Sequence, residues 1–185
     1  CLGDGEGESH PLSPGTPLSF TANTLLLNYA DSSKSLEILE QHKDILAAVL
    51  IEPVQSRNPG LQPVELLRSI QKFCAEKNII LIFDEVLTGF RVSQSGVQGM
   101  FQIKPQLTCY GKIAGGGLPI GIVAGSAETM AYLDKGSWVP GLTEPDLSVD
   151  SIFFAGTFNK NPLTMAAAEA VMLHLKAHGG SIQRE

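Results

Sequence analysis

The chain has 185 residues, 43% of them apolar, enough to bury one substantial core and ordinary for a globular domain. A formal net charge of -6 with no basic run leaves little attraction for a phosphate backbone or an anionic membrane surface, which argues against nucleic acid as a partner. The longest apolar runs, such as Ile79 to Phe83, are far too short to span a bilayer, and the first residues lack a signal-peptide apolar region, so a cytoplasmic protein with no membrane contact is expected.

Residues 1–21 mix Gly, Pro, Ser and acids and read as a surface loop that encodes no fold. Thr24 to Tyr29 reads as a strand. Asp31 or Ser32 then caps a helix to about His42, and Leu46 to Ile51 forms a short apolar strand. Pro63 is placed at a first helical position, and Leu66, Leu67, Ile70, Phe73 and Cys74 recur at helical spacing until Asn78 ends the helix. Ile79 to Phe83 is unbroken aliphatic and aromatic, as a central parallel strand covered on both faces must be, so Asp84 lands at a strand's carboxyl end. Leu107 to Tyr110 and Ile122 to Gly125 are further strands, and Ser126 caps a short helix to Leu133. A long loop over 134–150 follows. Asn161 and Pro162 then begin an Ala-rich helix ended by Gly179 and Gly180. The alternation predicts an α/β fold, a largely parallel sheet with helices on both faces. Three cysteines, Cys1, Cys74 and Cys109, lack metal-ligand spacing and read as reduced structural thiols. The chain starts at Cys1 rather than Met and stops at Glu185 just past a helix, so an excerpt from a longer polypeptide is expected.

Ligands of open α/β sheets gather at the carboxyl ends of the strands, where three places stand out. At Leu81-Ile82-Phe83-Asp84-Glu85-Val86, two acids follow a buried strand. Acids commonly end strands, and this pattern also resembles a magnesium-binding Walker B strand. The second place, Gly111-Lys112-Ile113-Ala114-Gly115-Gly116-Gly117, would have to be the phosphate loop of such a nucleotide site, but Gln106 and Ile113 break that pattern. Ile120 likewise breaks the dinucleotide fingerprint. A glycine triplet alone suggests a turn with unusual backbone angles. A lysine beside a backbone stripped of side chains, however, can approach a planar cofactor closely enough to form an imine with its aldehyde. Partial burial and a nearby positive group would favour the unprotonated amine this needs. A carboxylate such as Asp84 against a pyridine nitrogen keeps that nitrogen protonated, so the ring withdraws electrons. Val86, two residues on, points to the same side and is placed to pack beneath the ring. At the third place, Ala155-Gly156-Thr157-Phe158, a hydroxyl and backbone N–H groups near a helix N-terminus suit a phosphate, although a capping threonine is the plainer reading.

Together, LIFDEVLTGFR, GKIAGGGLPIG and GTFNKNPLTMAAAEAVM, in that order, resemble the class III aminotransferases of fold type I, with the likeness running from about Leu46 to Ala177. The resemblance implies pyridoxal 5'-phosphate as cofactor, with Asp84 on the pyridine nitrogen, Lys112 holding the cofactor covalently and Thr157 reaching its phosphate. In this family that threonine usually serves the partner subunit's site, so a homodimer with shared sites is implied. Within the family the match looks like the glutamate-1-semialdehyde aminomutase branch, but the loop after Ile51-Glu52-Pro53-Val54 departs from it. Its wording, Gln55 to Pro63, is similar to the aminotransferase domains of hybrid polyketide synthase and peptide synthetase enzymes such as cyanobacterial microcystin and nodularin synthetases. There the domain moves an amino group from glutamate onto a β-keto acyl chain on a carrier protein. Residues 1–185 would then be a partial large domain. Its phosphate loop would lie upstream and its small C-terminal domain downstream, and the piece alone would be inactive. An aminomutase and a catalytically inert interaction module in a synthase are the alternatives.

Other residues take plainer readings. His174 and His178 lie four apart on a helix, but no further ligand completes a metal set, so no metal is expected. Cys109 reads as a small strand residue rather than a nucleophile. Glu52 either faces the site or closes a turn with Pro53, and Arg91 either meets a carboxylate substrate or pairs with Glu85.

Overall fold

The computed structural model describes residues 2–3, 7–134, 152 and 154–184. Two compact units are present, Cys1–Val49 with Pro63–Ile79, and Leu50–Gln62 with Ile80–Glu185.

In the first unit, β1 (Leu2–Gly3) pairs antiparallel with β2 (Ser9–His10), and a single antiparallel bridge joins Glu8 to Leu25. The opening segment is therefore more ordered than its composition suggests. The strand expected over Thr24–Tyr29 is reduced to that one bridge. Local hydrogen bonds take the backbone elsewhere: Asn28 Oδ1 accepts the Ala30 N–H at 2.9 Å, and the Asn28 N–H donates to Ser35 Oγ at 2.9 Å. Helix α1 (Ser32–His42) starts as expected, with Asp31 accepting the Lys34 N–H at 2.9 Å. Helix α2 (Val64–Lys77) follows Pro63 directly and ends at Asn78, whose φ of 56° is the left-handed cap. The stripe Leu66, Leu67, Ile70, Phe73 and Cys74 is buried, and α2 packs on α1.

The sequence boundary between the units falls inside β3 (Ala48–Ile51), the first strand of a sheet ordered β3-β4-β5-β6. Strand β4 (Ile80–Asp84) lies parallel to β5 (Leu107–Gly111), with Asp84 level with Cys109. Strand β6 (Gly121–Gly125) runs antiparallel to β5. The sheet is thus mixed and mostly parallel, as the α/β class predicts. The exception has a simple cause: residues 112–120 are too few for the crossover of about a dozen residues that a parallel return needs. Burial along β4 alternates. Leu81 and Phe83 are buried, whereas Ile80, Ile82 and Asp84 are half-buried, so the described residues cover one face fully and the other in part.

Helix α3 (Gly96–Phe101) was not foreshadowed, because a six-residue segment with two glycines has low helix propensity. Helix α4 (Ala127–Asp134) is capped by Ser126, whose Oγ accepts the Thr129 N–H at 3.2 Å. Helix α5 (Pro162–His178) carries the expected signals: Asn161 Oδ1 accepts the Thr164 N–H at 3.2 Å, Pro162 opens the first turn and Gly179 closes the last at φ 54°. Its Leu163, Met165 and Leu173 are exposed. Most of the loop expected over 134–150 lies outside the described residues. Among the described residues, no helix is long and apolar enough to cross a membrane.

Candidate active site

Buried strands β4 and β5 deliver their carboxyl ends side by side. Asp84 is the last residue of β4, and its Oδ1 accepts the Val86 N–H at 3.0 Å, a local turn that fixes the carboxylate. Among the described residues Oδ2 takes no hydrogen bond, leaving one acceptor for an outside donor. In-register neighbours of a parallel pair share a sheet face, so Asp84 and Cys109 lie together. Consistent with this, the Cys109 thiol is held above the usual range first by burial and then by the charge of Asp84.

Strand β5 ends at Gly111, and Lys112 opens a single 3-10 turn (Lys112–Gly115) at a φ of 45°. A left-handed backbone at a non-glycine residue is strained and is found where the surroundings enforce it. Gly111 is one cause. A Cβ there would come within 3.2 Å of the Ile120 carbonyl and 3.3 Å of Val86 Cγ1, so Val86 packs directly over the backbone that precedes Lys112. Gly116 is another: a Cβ there would lie 3.0 Å from Val171 Cγ2, because α5 rests on this turn. Gly117, at φ 95°, faces open space. Lys112, Ile113, Gly117, Leu118, Pro119 and Ile120 line an open cleft of about 560 Å³. The partial burial expected of Lys112 is not found. The side chain is exposed within this chain, because its glycine neighbours offer nothing to cover it.

The structure therefore places Asp84 at the end of β4, level with Cys109, and Val86 against Gly111, the residue before Lys112. Among the described residues Thr157 shares no hydrogen bond with any of the three. Thr157 is exposed in the turn before α5. The plainer reading of Thr157 as a helix cap does not hold either, since Asn161 fills that place.

Glu85 is the residue that sequence reasoning undervalued. It is fully buried and accepts the N–H groups of Val97 at 2.7 Å and Gln98 at 3.0 Å, and the Thr88 hydroxyl at 3.1 Å. These bonds explain α3, whose first turn they cap. Arg91 does not pair with Glu85. It is exposed, and its Nε donates to the Leu87 carbonyl at 3.2 Å. Glu52 Oε1 accepts the Ser56 N–H at 2.9 Å, which favours the turn-closing reading over a role in the site. The His174 and His178 rings meet in a tilted contact with centroids 4.1 Å apart, and His178 Nδ1 donates to the His174 carbonyl at 2.7 Å. Among the described residues no three potential metal ligands converge.

A model of the class-III aminotransferase family matches residues 11–180. The chain belongs to the class-III aminotransferases. One curated relative of this aminotransferase chain is a glutamate-1-semialdehyde 2,1-aminomutase from Legionella pneumophila (strain Paris), 36% identical over 167 residues, covering 90% of this chain and 36% of the relative. An omega-transaminase from Sphaerobacter thermophilus is similar in structure, with a TM-score of 0.77 at 35% identity over 91% of this chain and 36% of that one. A transaminase with PLP bound gives a TM-score of 0.77 at 31% identity over 94% of this chain and 40% of that one. The chain thus spans just over a third of the length of the curated relatives it matches. Its α/β architecture is that of part of a fold type I aminotransferase domain.

Proposed function

We propose that the protein carrying this chain transfers amino groups with pyridoxal 5'-phosphate, and that Asp84, Val86, Lys112 and Thr157 are the residues of this chain that hold the cofactor. One observation carries the reading: a carboxylate with an oxygen free among the described residues ends one strand, and a primary amine directly follows the adjacent parallel strand, beside bare glycine backbone that opens on a cleft. The residues fit the group. A Cβ at Gly117 would project into empty space, so a flat ring can lie against the main chain there, and the donor set matches an aldehyde, a ring nitrogen and a phosphate.

When bound, the cofactor supplies an electron-withdrawing ring that stabilises negative charge at the substrate carbon. Everything else falls to the chain. The Asp84 carboxylate would accept a hydrogen bond from the protonated ring nitrogen and so hold the proton on that nitrogen. Val86, packed against the Gly111 backbone, would offer the ring an apolar contact. Lys112 Nζ would hold the cofactor covalently and, when free, would take a proton from the substrate carbon and return it to the reacting group. Thr157 supplies a hydroxyl for a phosphate, and its exposure suits a site completed by a partner subunit, as do the bare Leu163, Met165 and Leu173 of α5. On this reading the 185 residues are part of a homodimeric enzyme and are inactive by themselves.

For the substrate, we infer transfer from glutamate to a β-keto acyl chain on a carrier protein, within a polyketide and peptide synthase. The wording of the Gln55–Pro63 loop supports this. A second reading, an aminomutase acting on glutamate 1-semialdehyde, is supported by the names of the curated relatives. An inert interaction module is disfavoured by the intact Asp84 and Lys112 pair. The full-length protein supplied with glutamate and a carrier-bound β-keto acyl chain distinguishes them. One 2-oxoglutarate released per amine formed supports the transferase, and isomerisation of glutamate 1-semialdehyde without external donor overturns it in favour of the mutase.

A further inference from the structure

The two acids that follow the hydrophobic run of β4 are placed differently. Asp84 is half-buried and lies level with Cys109, whereas Glu85 turns inward and is fully buried. Burying a carboxylate is costly unless its oxygens are filled. Here they are filled without a cation among the described residues. Oε2 takes the Val97 N–H and the Thr88 hydroxyl, and Oε1 takes the Gln98 N–H and, at 3.3 Å, the Gln98 side-chain amide. The same amide nitrogen reaches the Thr108 hydroxyl at 3.3 Å and the Tyr110 hydroxyl at 2.6 Å. The Glu85 N–H also donates to the Cys109 carbonyl at 2.9 Å. One side chain, Gln98, therefore ties the residue next to Asp84 to the residue two before Lys112.

The tie is stiff at the β5 end. The Tyr110 ring packs against Phe90 with centroids 5.2 Å apart, and a Cβ on Gly89 would fall 2.5 Å from Tyr110 Cδ1, so the ring lies flat on the loop backbone. Burial first, and the charge of Glu85 second, hold the phenol above its usual range, which keeps it a neutral hydroxyl. Tyr110, Gly111 and Lys112 are consecutive, and Gly111 is clamped between Ile120 and Val86. A shift of Tyr110 is thus passed on to the lysine.

We propose that Glu85, Gln98 and Tyr110 are positioning residues that set the spacing between the Asp84 carboxylate and the Lys112 amine, an inference that rests on the reading of those two as the cofactor's partners. The position of Lys112 then depends on a network lying behind the strands as well as on its own turn. A network that only stabilised the fold would lower the melting temperature and leave the chemistry of the folded enzyme alone.

The test uses the full-length enzyme with Tyr110→Phe, which removes one hydroxyl, and Gln98→Leu, which removes the link while preserving an apolar stem. Both variants are expected to keep the cofactor on Lys112, as borohydride reduction and peptide mass show. Their kcat should fall about tenfold to a hundredfold with the donor KM little changed, as small misplacements of catalytic groups do. The pH midpoint of the cofactor's colour change should move by about one unit, because the surroundings of the Lys112 nitrogen have changed. If both variants keep the cofactor with kcat and midpoint unchanged, whatever their melting temperatures, the positioning proposal is overturned and the role of Lys112 stands. If the parent enzyme carries no cofactor on Lys112, the underlying reading is overturned first, and the proposal with it.

Discussion

On the proposed reading Asp84 would act through its charge, the same charge that, after burial, raises the Cys109 thiol. Replacing Asp84 with Asn keeps the shape and the Val86 contact but removes the partner that holds a proton on the ring nitrogen. A fall in kcat on the order of a hundredfold to ten-thousandfold is expected in the full-length enzyme, read by steady-state kinetics. The same substitution has a second readout. The Cys109 thiol is held up by burial and by Asp84, so at pH 8 it should alkylate more slowly than an exposed thiol. Asp84→Asn removes the charge but not the burial, so alkylation should become faster yet remain slower than that of an exposed thiol. An unchanged rate would mean that the carboxylate does not face the thiol. Cys74, with no exposed surface, is pushed up to about 11 by burial alone. Its folded value lies above the ordinary 9.0, so its contribution to stability is complete below pH 9 and is lost as pH rises toward 11. Urea melts of the enzyme between those limits should lose stability, and Cys74→Ala should flatten the slope.

Among the elements, those whose signals are local were legible. Helix α2 announced itself by its apolar period and the Asn78 cap, and each residue of the expected stripe is buried. Ile70→Ala should cost about 2–5 kcal/mol, measurable by denaturant unfolding. Helix α5 was legible from Asn161, Pro162 and Gly179. Asn161→Ala should cost about 1 kcal/mol in the same measurement. What was not legible depends on contacts distant in sequence. Nothing in GVQGMF predicts α3, which exists because Glu85, eleven residues earlier, caps it. Gly96, at φ 67°, makes room, since a Cβ there would lie 2.4 Å from Glu85 Oε2. The Thr24–Tyr29 segment had the composition of a strand, but Asn28 and Ser35 turn its backbone away from a ladder.

For the molecule as a whole, the α/β class followed from the alternation of strands and helices, and the candidate site was sought by a separate rule, that polar residues at strand carboxyl ends gather ligands. Asp84 stands at such an end, and Val86 packs against Gly111 beside Lys112. The antiparallel β6 escaped that reasoning because strand direction is set by the length of the connection, which composition does not report. Thr157 shares no hydrogen bond with the other three among the described residues, and on the proposed reading it and the exposed apolar residues of α5 would serve a site shared between subunits. The central claim is that Lys112 holds the cofactor, and the most direct measurement is borohydride reduction of the full-length enzyme followed by peptide mass analysis. The mass of reduced pyridoxal phosphate should appear on the peptide containing Lys112 and vanish in Lys112→Ala. Its appearance on another lysine, or its persistence in that variant, would contradict the claim.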